Sequence, residues 1–413
     1  MKPGISGWLT KTFIQSPLTP LLLLASIAVG ALALAVLPRE EEPQISVPMV
    51  DVVVQTDGLS AADGAELVTK PLEDIVRGID NVEHVYSVTE DDMVIVTVRF
   101  DVGHDPDRAI LRVHEQIRAN MHRIPIGIPE PLIVGKGIND VPIMVLTLSP
   151  VNGGKGRWDD NKLFEVAEEL QHELRKVNDV GRSFIAGGRA TQIRIEPDPE
   201  RLSLYGIALN QLVDKVRNAN RAFAVGGLRQ SGRHLPVVAG QTLKGGADVS
   251  LLLITSHDGR PVYLKDVADV VYGSAESEHR TWHLTPDGDG NLIKRPAVSL
   301  ALAKRQGSNA VTIANDLLAQ LERIKGRLIP DGVEVIVTRN YGETAAEKAD
   351  ELLFHLVLAS VSIVALLTLF LGWREGVVVL VVIPTTILLT FFAAWLMDYT
   401  INRVSMFALI FSI

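Results

Sequence analysis

LLFHLVLASVSIVALLTLFLGWREGVVVLVVIPTTILLTFFAAWLMDYTINRVSMFALIFSI, residues 352–413, is the stretch that decides the class of this protein. It contains two apolar runs, Leu352–Leu371 and Val377–Met397, on either side of a short Gly-Trp-Arg-Glu-Gly turn. Each run has about 20 residues, the length with which a helix crosses a hydrocarbon core of roughly 30 Å. A third run opens at Val404, and its ten residues are too few to cross a bilayer as a helix. We therefore expect a multi-pass membrane protein that continues beyond Ile413.

Another apolar run, residues 18–37, lies near the N-terminus and is long enough for a further span. Residues 1–17 before it have apolar side chains at helical spacing, which predicts a short helix lying flat at the membrane surface. The alternative is a signal peptide, in which Ala33-Leu34-Ala35 mimics a cleavage site. The length of the apolar run favours an anchor that is not cleaved.

Positive charges set the expected orientation of these spans. Lys2 and Lys11 place the N-terminus in the cytoplasm by the positive-inside rule. Residues 39–350 then lie outside, and Arg374 returns to the cytoplasm. Arg403, in the short outer loop, is the one residue that opposes this arrangement.

The composition excludes several classes of function. The net charge is −9, and no basic cluster reverses it, so nucleic-acid binding is not expected. The sequence has no cysteine, which removes disulfides, cysteine metal sites and thiol nucleophiles from consideration. The 47% hydrophobic content is concentrated in the apolar runs, and the segment between them has the composition of an ordinary soluble chain.

The segment between the spans carries an internal repeat. Five apolar positions recur after 98 residues, and in both copies a predicted helix passes through an Asn/Asp dipeptide into a strand. Apolar helix faces can produce such a match by chance, but the shared helix exit favours duplication. The five pairs are Val68 and Val166, Leu72 and Leu170, Val76 and Leu174, Ile79 and Val177, and Val82 and Val180.

The order of strands and helices predicts an α+β fold for both copies. Residues 39–133 form the first copy, and residues 141–196 together with 280–338 form the second. Each has the β-α-β-β-α-β order of a ferredoxin-like unit, in which two helices cover one face of an antiparallel sheet. Residues 197–279 interrupt the second copy. This insertion contains a glycine-rich hairpin that does not bury itself and is therefore either a mobile loop or an arm that packs on another subunit.

This arrangement resembles the N-terminal half of exporters of the resistance-nodulation-division superfamily, in particular the multidrug (hydrophobe/amphiphile, acriflavine-resistance-like) branch. The likeness covers nearly the whole chain through the order of its parts. Four segments carry it: Pro199–Asn218 (PERLSLYGIALNQLVDKVRN), Ala222–Leu228, Val262–Val270 (VYLKDVADV) and Tyr399–Ile413 (YTINRVSMFALIFSI).

The resemblance implies a proton-driven permease of the bacterial inner membrane with a large periplasmic domain. Such permeases form homotrimers, contact membrane lipid, work with a periplasmic adaptor (membrane fusion) protein and an outer-membrane channel, and export small hydrophobic substrates. It implies porter subdomains at 39–133 and 141–196 plus 280–338, with a docking subdomain at 197–279. The spans fall at 18–37, 352–371 and 377–397, and a fourth opens at 404–413. The family's proton-relay aspartate pair lies just beyond this sequence, so no residue here is assigned to it, and the chain alone should not pump.

Helix 105–122 carries a continuous stripe of side chains that the resemblance places at the trimer axis. Its members recur at i, i+4, i+7 and i+11 along one face. The alternative is a solvated helix surface. The stripe consists of Asp107, Leu111, His114 and Arg118.

Met144 and Phe184 are the candidate substrate-path residues, because the resemblance places their strands beside the substrate cleft. Aromatic rings and methionine adapt to many hydrophobic shapes. The alternative is core packing. Pro142 and Ala186 stand where the family has cleft phenylalanines, so the substrate range is expected to differ.

The glycine-rich hairpin is the candidate intersubunit arm. Its arginines are suited to pair with acidic residues of a neighbouring subunit, and the alternative is a disordered loop. The candidates are Arg221, Phe223, Gly226, Gly227, Arg229 and Arg233.

Motifs for metal, nucleotide or covalent chemistry are weak. His279 and His283 are four residues apart without a predicted helix, and Asp287–Asn291 resembles half a calcium loop that lacks its closing glutamate. Gly153–Gly156 lacks the end of a P-loop, and no Ser/His/Asp arrangement is found. We expect no cofactor, no metal and no enzymatic activity.

Two other functions remain open. The chain is either a membrane-anchored, truncated product that binds partners without transport, or part of a related pump for lipids or metals. The codons after those for residue 413 distinguish a truncated product from an efflux permease. The dependence of export on metal or lipid distinguishes a metal or lipid pump from a multidrug pump.

Overall fold

A computed structural model describes residues 13–14, 16–43, 45–137, 140–151, 158–230, 233–240, 242–276, 279–286 and 290–412. The chain divides into two compact units. The first contains the chain up to Leu148, Glu169–Ile185 and Ser299–Ile413, and the second contains Ser149–Glu168 and Ala186–Val298.

The first half of the first unit is a helix followed by a four-stranded sheet with helices. Its order is α1 (Leu18–Val36), β1 (Met49–Gln55), α2 (Ala61–Gly64), a π-helical turn (Ala65–Thr69), α3 (Lys70–Arg77), β2 (Val82–Glu90), β3 (Met93–Phe100), α4 (Pro106–Ala119), a 3-10 turn (Met121–Arg123) and β4 (Leu132–Lys136). The strands are ordered β2-β3-β1-β4, and β1 is antiparallel to both β3 and β4.

Alternation of residues along β1 and β3 builds the core of this sheet. Val52 and Val96 are fully buried, as expected when every second side chain of a strand points to the covered face. They pack with Leu72 of α3 and Val113 of α4. The helices therefore bury one face of the sheet.

The chain then forms β5 (Pro142–Pro150), α5 (Asp160–Leu174), β6 (Val180–Ala186), β7 (Thr191–Pro197), α6 (Pro199–Leu204), α7 (Leu209–Ala219), β8 (Ala222–Gln230), β9 (Arg233–Gly240), α8 (Gly246–Ser250), β10 (Leu253–His257), β11 (Arg260–Tyr263), α9 (Leu264–Val267), β12 (Ala268–Ser274), β13 (Thr281–Pro286), β14 (Leu292–Lys304), α10 (Ala310–Leu328) and β15 (Val333–Asn340). In the second large sheet three neighbouring strands are ordered β14-β5-β15. Strand β14 also pairs with both β6 and β13. The path β6-β14-β5-β15 has the same order as β2-β3-β1-β4.

The inserted part of the second unit has a core of its own. Leu202, Leu212, Leu264 and Val267 are buried together. Strand β7 pairs with β12, β10 with β11, and β8 with β9, each as an antiparallel pair.

Three described helices are long and apolar enough to cross a membrane: α1, α11 (Tyr341–Leu371) and α12 (Trp373–Leu396). The shorter helix α13 (Arg403–Ser412) follows. Helix α1 lies against α12 so closely that a Cβ atom on Gly30 would stand 2.4 Å from Leu388 Cβ. Close approach at a small residue is typical of packing between membrane helices.

Three boundaries differ from the sequence prediction. The expected five-residue turn between the last two long spans is reduced to Gly372, whose φ of 120° suits glycine, and the helix resumes at Trp373. Helix α11 begins at Tyr341, eleven residues before the predicted span, because Asn340 of β15 caps it directly. The predicted end of the first subdomain at residue 133 falls inside strand β4.

Part of the sequence prediction lies outside the described residues. This holds for residues 1–12 and 15 of the expected surface helix, for Gly153–Gly156, and for Asp287–Asp289 of the calcium-like loop.

Candidate functional site

The segment that leaves α1 contacts several elements of the first unit through consecutive side chains. The guanidinium of Arg39 lies 3.0 Å from the Asp350 carboxylate of α11. Glu40 Oε1 accepts a hydrogen bond of 2.7 Å from Lys304 Nζ at the end of β14. Glu41 lies 3.4 Å from the Arg403 guanidinium at the start of α13. The exit of the first span is thus a junction between helices and sheet.

The backbone of this exit is also paired. The Glu40 N–H donates to the carbonyl oxygen of Ile401 at 2.9 Å, and the Ile401 N–H donates to that of Pro38 at 2.9 Å. The Arg403 N–H donates to Glu41 O at 3.2 Å. Residues 38–41 therefore form a short parallel ladder with the loop that precedes α13.

Burial separates Glu40 and Lys304 from the other charges of the junction. Their side chains are 4% and 10% exposed. Glu40 Oε2 also accepts a hydrogen bond from Thr400 Oγ1 at 3.3 Å, and Lys304 Nζ donates to Ser308 O at 2.9 Å. A buried charge needs such partners, because water does not solvate it.

A cavity of about 240 Å³ lies beside this ion pair. Its wall combines four charged residues, Glu40, Glu41, Glu42 and Lys304, with less polar ones, among them Ile143, Ala310 and Tyr341. The site was not predicted, because its residues are far apart in the sequence. The available signals were Lys304 directly after the largely apolar residues 296–303, and the charged residues 39–42 that follow α1.

The predicted stripe on helix α4 is solvent-exposed in the single chain. Asp107, Leu111, His114 and Arg118 all lie on the exposed face, and 60% of Leu111 is accessible. The opposite face of α4 is buried in the sheet core. The helix therefore presents one free apolar side chain among polar groups.

Met144 and Phe184 are not brought together on one surface. Met144 is fully buried in β5, whereas 46% of Phe184 is exposed on β6. The neighbouring Ser183 points to helix α5, because its hydroxyl accepts a hydrogen bond of 3.1 Å from Gln171. Phe184 therefore points away from α5, since successive strand residues face opposite ways.

A row of hydroxyl groups crosses the second sheet on the face opposite to Met144. Thr147 Oγ1 lies 3.0 Å from the Ser299 hydroxyl on β14 and 3.0 Å from the Thr338 hydroxyl on β15. Thr147 is three residues from Met144, so the two side chains leave the strand on opposite faces. This row was not predicted, because the three residues are far apart in the sequence.

The hairpin of β8 and β9 exposes apolar side chains from both strands. Its pairing shifts register between Ala224 and Gly226. Strand β8 carries Arg229 as well as Gly226 and Gly227, Arg233 opens β9, and Arg221 immediately precedes β8. For Phe223 only the backbone, within β8, is described. The exposed apolar side chains are Val225, Leu228, Leu235 and Val238.

A second cavity, of about 350 Å³, lies among the long apolar helices. Its lining comes from α1, α11 and α12 and includes Leu34, Val357, Pro384 and Phe391. The surface is almost entirely apolar. It therefore suits hydrocarbon groups.

Other charged groups are structural. The Lys176 ammonium donates a hydrogen bond of 2.7 Å to Glu173 on α5 and holds the pKa of that carboxyl below its usual value of 4.5. Arg327 of α10, at 3.7 Å, acts in the same direction. Among the residues that the structure describes, no three His, Asp or Glu side chains converge as metal ligands.

Comparison with known proteins identifies the family. The model of the AcrB/AcrD/AcrF family matches residues 9–413. The chain belongs to the AcrB/AcrD/AcrF family. This confirms the resemblance to multidrug exporters of the resistance-nodulation-division superfamily, and it places the chain among transporters rather than enzymes.

Three relatives share about a quarter of the aligned residues with this chain. The multidrug resistance protein MdtC of Yersinia enterocolitica is 26% identical over 400 residues. The proteins of the same name from Yersinia pseudotuberculosis and Yersinia pestis are 25% identical. Each alignment covers 96% of this chain and 38% of the relative, so the chain spans just over a third of their length.

Proposed function

We propose that this chain forms part of a proton-driven efflux permease that exports hydrophobic or amphiphilic small molecules across the bacterial cell envelope. The observation that carries the proposal is the family match over residues 9–413. The three long apolar helices support it, because export of this kind needs a membrane domain. No residue of the chain is assigned to the proton relay.

We assign each part of the fold to the inner membrane or to the periplasm. The helices lie in the inner membrane, and the two sheets with their insertion lie in the periplasm. Both sheets are ferredoxin-like porter subdomains, which fits their common strand order. The insertion is the docking subdomain.

We assign substrate contact to the open side of the second sheet. Phe184 is exposed there and is accessible to a hydrophobic molecule without rearrangement. Met144 remains a candidate that must first be uncovered, because it is fully buried. Thr338, the exposed end of the hydroxyl row on the face opposite to Met144, adds a hydrogen-bonding group to this proposed surface.

We assign assembly into a homotrimer to two exposed surfaces. The α4 stripe meets its symmetry mates at the axis, and the β8–β9 hairpin reaches a neighbouring subunit. Apolar side chains free in the single chain support both, since Leu111 and Leu228 are 60% and 63% exposed. A periplasmic adaptor protein and an outer-membrane channel complete the assembly.

The test is export from cells. The complete product of the gene is expressed in a bacterium that lacks its own multidrug pumps, and accumulation of a lipophilic dye is measured. We expect accumulation to fall and a protonophore to restore it. Export that persists with the protonophore, or no export of any hydrophobic dye with the adaptor present, contradicts the proposal.

Two variants refine the test. Residues 1–413 alone are expected not to export, because they span 38% of the relatives' length. Reversal of charge at Arg118 is expected to lower the yield of cross-linked trimers. Reversal at Arg112, also exposed on α4, is the matched control.

A further inference from the structure

The exit segment of α1, residues 38–41, is attached to two parts of the first unit in different ways. Its backbone is paired with the loop before α13 through the hydrogen bonds of Glu40, Ile401 and Arg403. Its buried side chain, that of Glu40, is bonded to Lys304 of β14. The backbone of Glu40 is therefore hydrogen-bonded to the loop between the apolar helices α12 and α13, and its carboxylate is bonded to the sheet.

Of the ion pairs described at this exit, the buried one resists separation most. Arg39 and Asp350 are 30% and 69% exposed, and Arg403 and Glu41 are 42% and 22% exposed. Water replaces such partners at little cost. Separation of Glu40 from Lys304, at 4% and 10% exposure, leaves a charge without solvent.

Lys304 is in turn fixed to the sheet side. Its ammonium donates to Ser308 O in the turn that leads from β14 to α10. The next residue, Arg305, donates its N–H to Asp179 O at 2.9 Å, beside the start of β6. Displacement of the Lys304 ammonium is therefore expected to move the end of β14 together with the start of β6.

The membrane helices hold the second sheet at two strands. Helix α11 continues directly from β15, and Glu40 holds β14. These strands lie on either side of β5 in the sheet. Helix α11 also packs on α10, where a Cβ on Gly342 would stand 2.4 Å from Ala314 Cβ. Glu40 therefore adds a direct contact at the end of β14 to the paths that run through β5 and through α10.

We propose that the Glu40–Lys304 pair is the link that passes movement of α13 to β14, with both residues acting as positioning residues. The link rests on the proposed function, because it needs a proton-driven movement of the helices. The contacts from the α13 loop through Glu40 to β14 are continuous, as energetic coupling between distant sites requires when it runs through packed groups.

The first experiment reports both ends of the link. Residues 1–413 contain no cysteine, so a single introduced cysteine there carries an environment-sensitive fluorophore without background from this region. Gln306→Cys reports the turn after β14, and Tyr399→Cys reports the loop before α13; both positions are exposed. The complete gene product is placed in proteoliposomes with an imposed pH gradient.

We expect both fluorophores to respond in the unmodified background. Glu40→Ala and Lys304→Met are expected to reduce the response at position 306 by about tenfold and leave that at 399 within about a factor of two. Dye export falls with the response at 306. Glu42→Gln, a change at an exposed carboxylate in the same segment, is the matched control and leaves both responses unchanged.

A second variant distinguishes a link from a merely structural contact. Glu40→Cys combined with Lys304→Cys is joined by a reducible bifunctional thiol reagent that spans the two side chains. Dye export is expected to be lost in the unlinked variant, restored by the reagent and lost again on reduction. A contact needed only for folding would not follow this cycle.

Two results overturn the link. One is a normal response at position 306 in Glu40→Ala and Lys304→Met. The other is an assembled Glu40→Cys/Lys304→Cys protein in which the reagent restores nothing. Failure of the proposed function is separate, because then the unmodified protein neither exports dye nor shows a response at position 399.

Discussion

Asn81 and Asp179 lie 98 positions apart in the sequence and hold the same left-handed backbone conformation, with φ of 66° and 60°. Each follows a helix exit with the same hydrogen bonds. The Val82 N–H donates to Ile79 O at 3.4 Å, and the Val180 N–H donates to Val177 O at 3.4 Å. The repeat seen in the sequence is therefore also a repeat of backbone geometry, and asparagine and aspartate are the residues that tolerate it.

This shared geometry predicts equal penalties at the two sites. Replacement of Asn81 or Asp179 by Val is expected to cost about 1–2 kcal/mol of unfolding free energy, because a β-branched side chain clashes at positive φ. Replacement by Gly is expected to be close to neutral. Thermal unfolding of the purified protein measures both. Asn178→Val is the control, and an equal loss in that variant would remove the explanation.

The contact between α1 and α12 predicts a strong size limit at Gly30. A Cβ at this position meets the backbone and side chain of Leu388 at 2.4–2.6 Å. Gly30→Val is expected to separate the helices and lower thermal stability, with Gly30→Ala intermediate. Ala31→Val adds bulk on the exposed side of the same helix and serves as control. Equal stability of the variants at positions 30 and 31 would contradict the packing.

The buried ion pair predicts a non-additive stability effect. Glu40→Leu or Lys304→Met alone is expected to cost about 3–5 kcal/mol, because the remaining charge is buried without a partner. The double variant is expected to recover most of this loss, since two apolar groups bury each other. A double-mutant cycle on thermal unfolding measures the coupling. Losses that simply add would show that the two charges do not depend on each other.

The hairpin predicts a defect in assembly without a defect in folding. Leu228→Asp is expected to reduce cross-linked trimers about tenfold, as removal of a central apolar contact does at protein interfaces. Thermal stability of the single chain should not change, because 63% of Leu228 is already exposed. Leu284→Asp, at an apolar position on β13 that is 53% exposed, is the control. Intact trimers in Leu228→Asp would assign the hairpin another role.

Glu173 predicts a pH-dependent contribution to stability. The hydrogen bond from Lys176 lowers the pKa of Glu173 in the folded state, so the unfolded state binds its proton more readily. The stabilisation is present above the usual carboxyl pKa of 4.5 and is lost as the pH falls through the lowered value. The difference in stability between the unmodified protein and Glu173→Gln should shrink over that range. In a Lys176→Met background, which lacks the hydrogen bond that lowers the pKa of Glu173 most, the difference should be smaller.

Local patterns in the sequence were sufficient for much of the fold. The long apolar helices and the two helix exits that lead into β2 and β6 follow from apolar periodicity and from residues that favour turns. The residues of strand β4, the last strand of the first copy, were not located because the strand is five residues long, lies at the sheet edge and follows prolines. The expected turn at Gly372 was overestimated, because arginine and glutamate at positions 374 and 375 are compatible with a helix at the membrane boundary.

The candidate sites depend on contacts that no local pattern contains. Glu40 and Lys304 are 264 residues apart, and only the folded chain shows that they are partners. Met144 and Phe184 were predicted to share the substrate path because of the strands that carry them. In the structure Met144 is fully buried, whereas 46% of Phe184 is exposed. Side-chain direction within a strand follows from periodicity, but the surface that each direction meets is decided by tertiary packing.

The continuity of α11 has a mechanical consequence. The helix has 31 residues, and Asn340 of β15 caps it without an intervening loop. At about 1.5 Å per residue it is a rod of roughly 46 Å, so a tilt of about 10° displaces its far end by about 8 Å. Because the helix is continuous from the edge of the sheet onward, it can act as a lever, so that a small rotation at one end becomes a displacement of several ångström at the other.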